Sequence, residues 1–242
     1  MRTTLIIPVF NFEKRLQGML DTLRTKFSRE GSNIEIILVN DGSTDATQSI
    51  LNTVSAPFKV VHHEKNRGKG AAIKTGVSVA QGDHIFFTDA DIPYDLSAMD
   101  SAHALLDQGY DVVLGSRAVA GSSSVRPRTL LRRLSSFVFS RLANLTLLNR
   151  IEDTQCGFKS FKNTVAKNIF SQVHFEGFVF DVEVIYRAQK SGAKIGLVPV
   201  RLVDDTDSSV RMMRDSYRMA RDLVKLYFYT RMGAGSTTTK RA

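Results

Sequence analysis

The chain has 242 residues, enough for one large domain or two small ones, and its apolar fraction of 43% is ordinary for a globular protein. Thirty-three Lys and Arg against 24 Asp and Glu leave a formal charge of +9, which points to an anionic partner. No apolar window reaches the length of about eighteen residues that a membrane span needs, the single cysteine, Cys156, excludes an internal disulfide, and the five histidines form no cluster suited to zinc.

Residues 3–9 (TTLIIPV) read as a first strand, ended by Pro8 and followed by Asn11. Residues 12–27 have helical spacing, with Leu16, Met19, Leu20, Leu23 and Phe27 on one face. A second strand over 33–39 runs into Asn40-Asp41-Gly42-Ser43, where Ser43 or Thr44 can cap a helix over 45–54. A third strand covers 58–62, and the turn NRGKG (66–70) opens a helix over 71–80. A fourth strand over 84–88 ends at Asp89 and Asp91; a helix over 96–106 and a fifth strand over 111–115 follow. This βα alternation implies an α/β fold with a mixed, mainly parallel sheet and helices on both faces. The expected organisation is one domain over 1–232, with halves meeting near 117 and a tail of disordered composition over 233–242. The chain starts directly in strand-like sequence, so no signal peptide is expected.

IFFTDADIP (85–93) is the most informative stretch. A buried parallel strand should read as continuous apolar sequence, and this one turns acidic at its end. Residues i and i+2 of an extended chain point the same way, so Asp89 and Asp91 converge while Ala90 between them stays small. Two hard oxygen donors at a strand tip suit a divalent cation that also binds phosphate; the bland alternative is a solvated turn. In open α/β sheets, ligands sit at the carboxyl ends of the strands. Those ends carry Pro8 and Asn11, Asp41, the NRGKG turn, Asp89 and Asp91, and Ser116 with Arg117. Gly68-Lys69-Gly70 matches neither a P-loop nor a dinucleotide fingerprint, and alone it is a helix-opening turn that can bind an anion.

IPVFN, VNDGSTD, NRGKGAAIKTG and TDAD, in this order and spacing, resemble the family 2 glycosyltransferases of GT-A fold. Gly115-Ser116-Arg117, DTQCGFKSF (153–161) and FDVEVIY (180–186) are similar to the dolichyl-phosphate glucosyltransferases, with the dolichyl-phosphate mannose synthases as close relatives. The resemblance covers roughly residues 3–230. It implies that Pro8, Phe10, Asn11 and Glu13 line the nucleoside pocket, that Val39 packs near the base and that Asp41 accepts from the nucleobase imide. It implies that Lys69 faces the diphosphate or sugar, and that Asp89, Ala90 and Asp91 hold the sugar nucleotide, the two aspartates with Mg²⁺ or Mn²⁺. Arg117 then reaches an anionic group, and Asp153, Gln155 and Asp181 line the acceptor side. Three departures stand out. Phe12 follows Asn11 where relatives often have Glu, Ile92 stands where some relatives have a polar residue, and DDTDSSVR (204–211) lacks the Gly-Ser-Lys common in relatives, so that lysine's role is vacant or taken by Arg211.

Sugar transfer from a nucleotide diphosphate needs stabilisation of the departing diphosphate, alignment of the acceptor and a deprotonated nucleophile. A sugar hydroxyl usually needs a carboxylate base, for which Asp181 is the candidate; its plainer role is a carboxylate at a helix N-terminus. A lipid monophosphate is already largely ionised at neutral pH and needs an arginine clamp instead. Between Val112 and Ile151 there is no Asp or Glu but there are seven arginines, including Arg126 and Arg128, which with Arg117 and Arg211 are the candidate phosphate clamp. Residues 129–148 and 209–230 read as amphipathic helices with embedded basic residues, suited to the anionic cytoplasmic face of a membrane rather than to a span. In the second helix, Asp215 and Asp222 stand four residues after Arg211 and Arg218, so helix pairs can absorb part of that charge. The basic stripes alternate with aliphatic residues, not with the exposed aromatics that nucleic-acid stacking needs. What the resemblance implies, and this chemistry accommodates, is inverting transfer of a hexose, glucose first among the candidates, from UDP-glucose to a polyprenyl phosphate. GDP-mannose as donor, a soluble hydroxyl acceptor, and a binding protein without turnover are the alternatives.

Overall fold

The computed structural model describes residues 1–27, 33–124, 130–177, 179–203 and 212–233, with the backbone alone over 130–135, 212–217 and at 233. Its first half is β1 (Thr3–Val9), α1 (Glu13–Phe27), β2 (Ile34–Asn40), α2 (Thr47–Leu51), β3 (Phe58–His62), α3 (Lys69–Val79), β4 (His84–Phe87), α4 (Ala98–Asp107) and β5 (Val112–Ser116). β1 and β3 have the expected bounds, and the other ends move by at most three residues. α2 is the shortest of these helices, and neither Ser43 nor Thr44 caps it. Asp45 Oδ1 accepts the Thr47 N–H at 3.0 Å. Ser43 Oγ instead accepts the Asn11 N–H at 3.0 Å and Asn11 Oδ1 accepts the Thr44 N–H at 2.8 Å, which laces the loops after β1 and β2 together.

The second half is β6 (Ser123–Ser124), α5 (Leu130–Thr146), β7 (Lys159–Lys162), α6 (Asn163–Ser171), α7 (Phe180–Lys190), β8 (Ile195–Pro199), β9 (Arg201–Leu202) and α8 (Met212–Gly233). Seven strands form one sheet in the order β3-β2-β1-β4-β7-β5-β8; β6 and β9 pair separately. The sheet is parallel except at β7, which runs antiparallel to β4 and to β5. Its first residue, Lys159, stands opposite Phe87 on one side and Leu114 on the other. No expected element corresponds to β7, α6 or β8. KSFK carries two lysines and lacks the apolar continuity of a buried central strand.

Strand alternation sends side chains to two cores. Ile6, Phe87 and Phe161 pack with Ile73, Phe170 and Phe180 on the α3–α6–α7 side. Leu5, Ile7 and Phe86 pack with Leu16, Leu20 and Met99 on the α1–α4 side. α5 lies against α8. Phe139 and Ala143 of α5 and Leu223 and Leu226 of α8 are buried, while Phe137, Val138, Leu142, Leu145, Val224, Phe228 and Met232 are exposed. Asp222 pairs with the adjacent Arg221 at 2.8 Å rather than with Arg218 one turn back. Among the described residues, no helix is long and apolar enough to cross a membrane.

At the amino ends of β1 and β4, His84 Nδ1 faces His103 Nδ1 at 3.0 Å, and Thr3 Oγ1 is 3.3 Å from His103 Nε2. Burial lowers the pKa of both imidazoles, and their mutual repulsion lowers that of His84 further. The unfolded chain, with histidines near 6.5, then binds protons more readily than the folded one. Stability should therefore be full above the ordinary histidine value and decline as pH falls from about 7 toward 5. Melting temperatures across that range check this, and His103→Gln should flatten the decline.

Candidate active site

The carboxyl ends of β1, β2, β3, β4 and β5 share one edge of the sheet, and β7, running the other way, brings its start to the same edge. Asp89 and Asp91 follow β4 there. Lys69, the first residue of α3, forms an ion pair with Asp89. On the opposite side, Gly157 lies so close to Asp89 Oδ2 that any Cβ at that position would overlap the carboxylate. Only glycine fits this approach.

The turn that delivers Lys69 is held from both flanks. Asp41 accepts the N–H groups of Arg67 at 3.0 Å and Gly68 at 2.8 Å, and His63 Nδ1 at 2.7 Å. From the other flank, the Glu176 carbonyl accepts the Gly70 N–H at 2.9 Å. Gly68 has φ +102, and a Cβ there would run into the same carbonyl.

On the side where the acceptor is expected, Arg117 donates Nε to Asp153 Oδ2 at 2.7 Å and a terminal nitrogen to Asp153 Oδ1 at 2.6 Å, a two-pronged pair. Beneath it Lys159 is fully buried. Its ammonium donates to Asp181 Oδ1 at 2.5 Å and to the Cys156 carbonyl at 2.7 Å. A buried lysine persists only with such partners. Gln155 Nε2 and Thr88 Oγ1 are the two buried side-chain polar atoms without a hydrogen-bond partner among the described residues. Native interiors hold few such atoms, and each calls for an explanation.

Charge alternates across the site. Desolvation opposes ionisation of Asp89, yet Lys69, Lys159 and Arg117 together hold its carboxyl below the usual range. Desolvation likewise opposes the charge on Lys69, and Asp89 and Asp181 overcome it to hold that ammonium above the usual lysine range. Asp91 differs. Among the described residues it forms no ion pair, and desolvation followed by repulsion from Asp89 pushes its carboxyl up to about 6 against the weaker pull of Arg15 and Lys69. Burial raises the thiol pKa of Cys156, in keeping with a packing role. Two hard carboxylates, one crowded by the other and open to solvent, are a donor set that fits Mg²⁺ or Mn²⁺. No group of three or more His, Cys, Asp or Glu is clustered for a metal among the described residues, so the other ligands would be phosphate and water oxygens.

Several expected site residues meet different surroundings. Val39 is fully buried against α3 and offers no surface to a base. Three of the acceptor positions of Asp41 go to His63 and the 67–68 turn. Glu13 accepts the Ala46 N–H at 2.8 Å, so it braces the loop before α2. Arg117 is engaged by Asp153 and Asp181 by Lys159, which removes Asp181 as a free base. Phe10 is exposed at the same edge, Pro8 stands opposite Val39, and Ala90 is half-buried between the aspartates. Arg126, Arg128 and Arg211 lie outside the described residues, as do 204–211 and the tail from 234. Lys159, Gly157 and His63 enter without having been expected. A lone lysine inside CGFKSF was the available signal for the first.

Residues 4–170 match the sequence profile of the family described as Glycosyl transferase family 2. A dolichyl-phosphate beta-glucosyltransferase of Dictyostelium discoideum is 32% identical over 246 residues, 95% of this chain and 75% of that protein. The Homo sapiens protein of the same name is 30% identical over 241 residues, 91% of this chain and 73% of its own length. Among solved structures, glucosyl-3-phosphoglycerate synthase from Mycobacterium tuberculosis, with Mn²⁺, UDP and glucosyl-3-phosphoglycerate, superposes with a TM-score of 0.68 at 17% identity. That overlap covers 93% of this chain and 80% of the other. S. aureus TarS with UDP-GlcNAc gives 0.61 at 21% identity, over 93% and 66%. The fold is thus that of the GT-A glycosyltransferases, and the chain belongs to glycosyl transferase family 2.

Proposed function

We propose that this glycosyltransferase moves glucose, with inversion, from UDP-glucose to a dolichyl or related polyprenyl phosphate at an anionic membrane surface. The observation that carries the choice of acceptor is the engagement of both acceptor-side carboxylates. Asp153 is tied to Arg117 and Asp181 to Lys159. A hydroxyl acceptor would need one of them free as a base. A phosphate monoester needs none, because its own oxygen is already anionic near pH 7. The relatives named dolichyl-phosphate beta-glucosyltransferase support the same sugar and acceptor.

In this mechanism Asp89 and Asp91 hold Mg²⁺ or Mn²⁺. When bound, the cation neutralises charge that develops on the departing diphosphate. Lys69 adds a second positive charge on the leaving-group side, already aimed by the clamped turn. Phe10 and Asn11 lie at the nucleoside end, with Asp41 behind them. On the acceptor side the guanidinium of Arg117 is held rigid by Asp153, and the Gln155 amide is a free donor. Both suit a phosphate oxygen approaching the anomeric carbon from the face opposite the diphosphate. Arg126, Arg128 and Arg211 complete the proposed clamp. The exposed Phe137, Leu142, Leu145, Phe228 and Met232 present an apolar surface beside basic Arg141 and Lys225, the composition of an interfacial surface.

The test is release of UDP from UDP-glucose in Mg²⁺ or Mn²⁺, with dolichyl phosphate in anionic vesicles, in neutral vesicles, or omitted. Release should require the lipid phosphate and run several-fold faster on anionic vesicles. Equal release without lipid, or from GDP-mannose in preference, would overturn the assignment.

A further inference from the structure

Resting on that donor assignment, we propose that His63 is a positioning residue for the donor nucleotide. Locked between Thr75 and Asp41, it fixes the Asp41 carboxylate so that one side chain braces the turn ahead of Lys69 and keeps one acceptor position for a nucleobase imide. His63 lies just past β3, and its N–H donates to the Asn40 carbonyl at 2.8 Å, which pins the ring beside the end of β2. Its side chain is almost wholly buried, so it touches neither solvent nor a reacting group. Burying an imidazole is unfavourable unless both nitrogens are used, and here both are. Nδ1 is 2.7 Å from Asp41 Oδ1, and Nε2 is 2.9 Å from Thr75 Oγ1 on α3. A carboxylate only accepts, so Nδ1 donates to Asp41, while Nε2 pairs with the Thr75 hydroxyl, which can donate or accept.

The consequence lies in counting acceptors. A carboxylate offers about four acceptor positions. Asp41 gives two on Oδ1 to His63 and the Arg67 N–H and one on Oδ2 to the Gly68 N–H. One position on Oδ2 remains. Without His63 the carboxylate can turn about its bond, loosening the N–H groups that precede Lys69 and losing the fixed direction of the remaining acceptor. The effect belongs to nucleotide recognition more than to the chemical step. It also makes a statement about base identity, since uracil presents an imide N–H at its N3 and cytosine presents an acceptor there.

The experiment measures donor KM, kcat and the affinities of UDP and CDP for wild type, His63→Leu, His63→Asn and Thr75→Val, with melting temperatures alongside. His63→Leu should weaken UDP binding and raise donor KM by about tenfold or more, as expected for a lost buried charge-assisted hydrogen bond. Its kcat should fall much less, and its preference for UDP over CDP should collapse. His63→Asn, whose amide nitrogen stands near the imidazole Nδ1, should recover the preference even where it melts as early as His63→Leu. Thr75→Val should raise donor KM by a few-fold at unchanged kcat. The proposal is overturned if folded His63→Leu keeps UDP affinity and the UDP/CDP ratio within twofold of wild type. If that variant does not fold, an unchanged UDP/CDP ratio in Thr75→Val and failure of His63→Asn to retain the preference overturn it equally. The donor assignment fails separately, if wild type does not bind UDP.

Discussion

Replacing Asp89 with asparagine is expected to lower sugar transfer by roughly 10²- to 10³-fold, the usual cost of removing one preorganised electrostatic group. Three observations set that size. Asp89 is held ionised by Lys69, Lys159 and Arg117, so the variant removes a full charge from the centre of the network. Its Oδ2 fits against Gly157 with no slack, and the Asn amide would place N–H atoms where an acceptor now sits. Lys69 also loses its ion-pair partner, and with it the position proposed for it beside the diphosphate. The loss should appear in kcat as well as in donor KM. Raising Mn²⁺ should recover little of it, because in the proposed mechanism the carboxylate would hold Lys69 as well as a cation. Turnover by Asp89→Asn within about threefold of wild type would remove the strand tip from the mechanism.

Lys159→Met should cost about 3–5 kcal/mol of stability, the range found when one member of a buried ion pair is deleted. For a domain of this size that is a drop of roughly 6 to 20 °C in melting temperature. Met fills much of the volume, so a cavity contributes little. The loss comes from Asp181, left buried and charged, and from the Cys156 carbonyl, left without its donor. Lys159→Met with Asp181→Leu should regain more than half of the loss, since the stranded charge is gone. If the double variant is no more stable than the single one, the penalty comes from packing at the sheet centre and not from the charge pair. Chemical denaturation of the three proteins decides this.

Periodicity and strand-end polarity carried much of the fold. β1 to β5 are apolar runs punctuated by Gly, Asn and Asp, and each appears within a residue or two of its expected bounds. The site edge followed, because parallel strands bring their carboxyl ends together whatever the order of the sheet. Pairing order was not legible. β7 is flanked by β4 and β5, three of its four residues are buried, and nothing in their own pattern distinguishes them from a loop. The same gap hid Lys159, since a lysine reads as exposed until its three acceptors are seen. The roles expected for Asp41, Arg117 and Asp181 assumed free side chains. Sequence shows which groups are polar but not which are already satisfied by one another. Of the apolar positions expected along 129–148, Phe137, Val138, Leu142 and Leu145 face outward, Leu148 is buried, and Phe139 and Ala143 make the packed face of α5.

The position of β7 has a consequence for exchanging parts among enzymes of this kind. The boundary near residue 117 suggests two cassettes, one for the donor and one for the acceptor. Yet β4 and β5, both encoded before it, are joined in the sheet only through β7, a strand encoded about forty residues later. A donor cassette grafted from elsewhere would arrive with a slot at the middle of its sheet and two rows of open backbone N–H and C=O groups. The strand that fills the slot begins with Lys159 and follows the glycine that fits Asp89. Crossovers that preserve the fold must therefore carry residues 153–162 with the donor side, so chain order and structural modules do not coincide in this architecture.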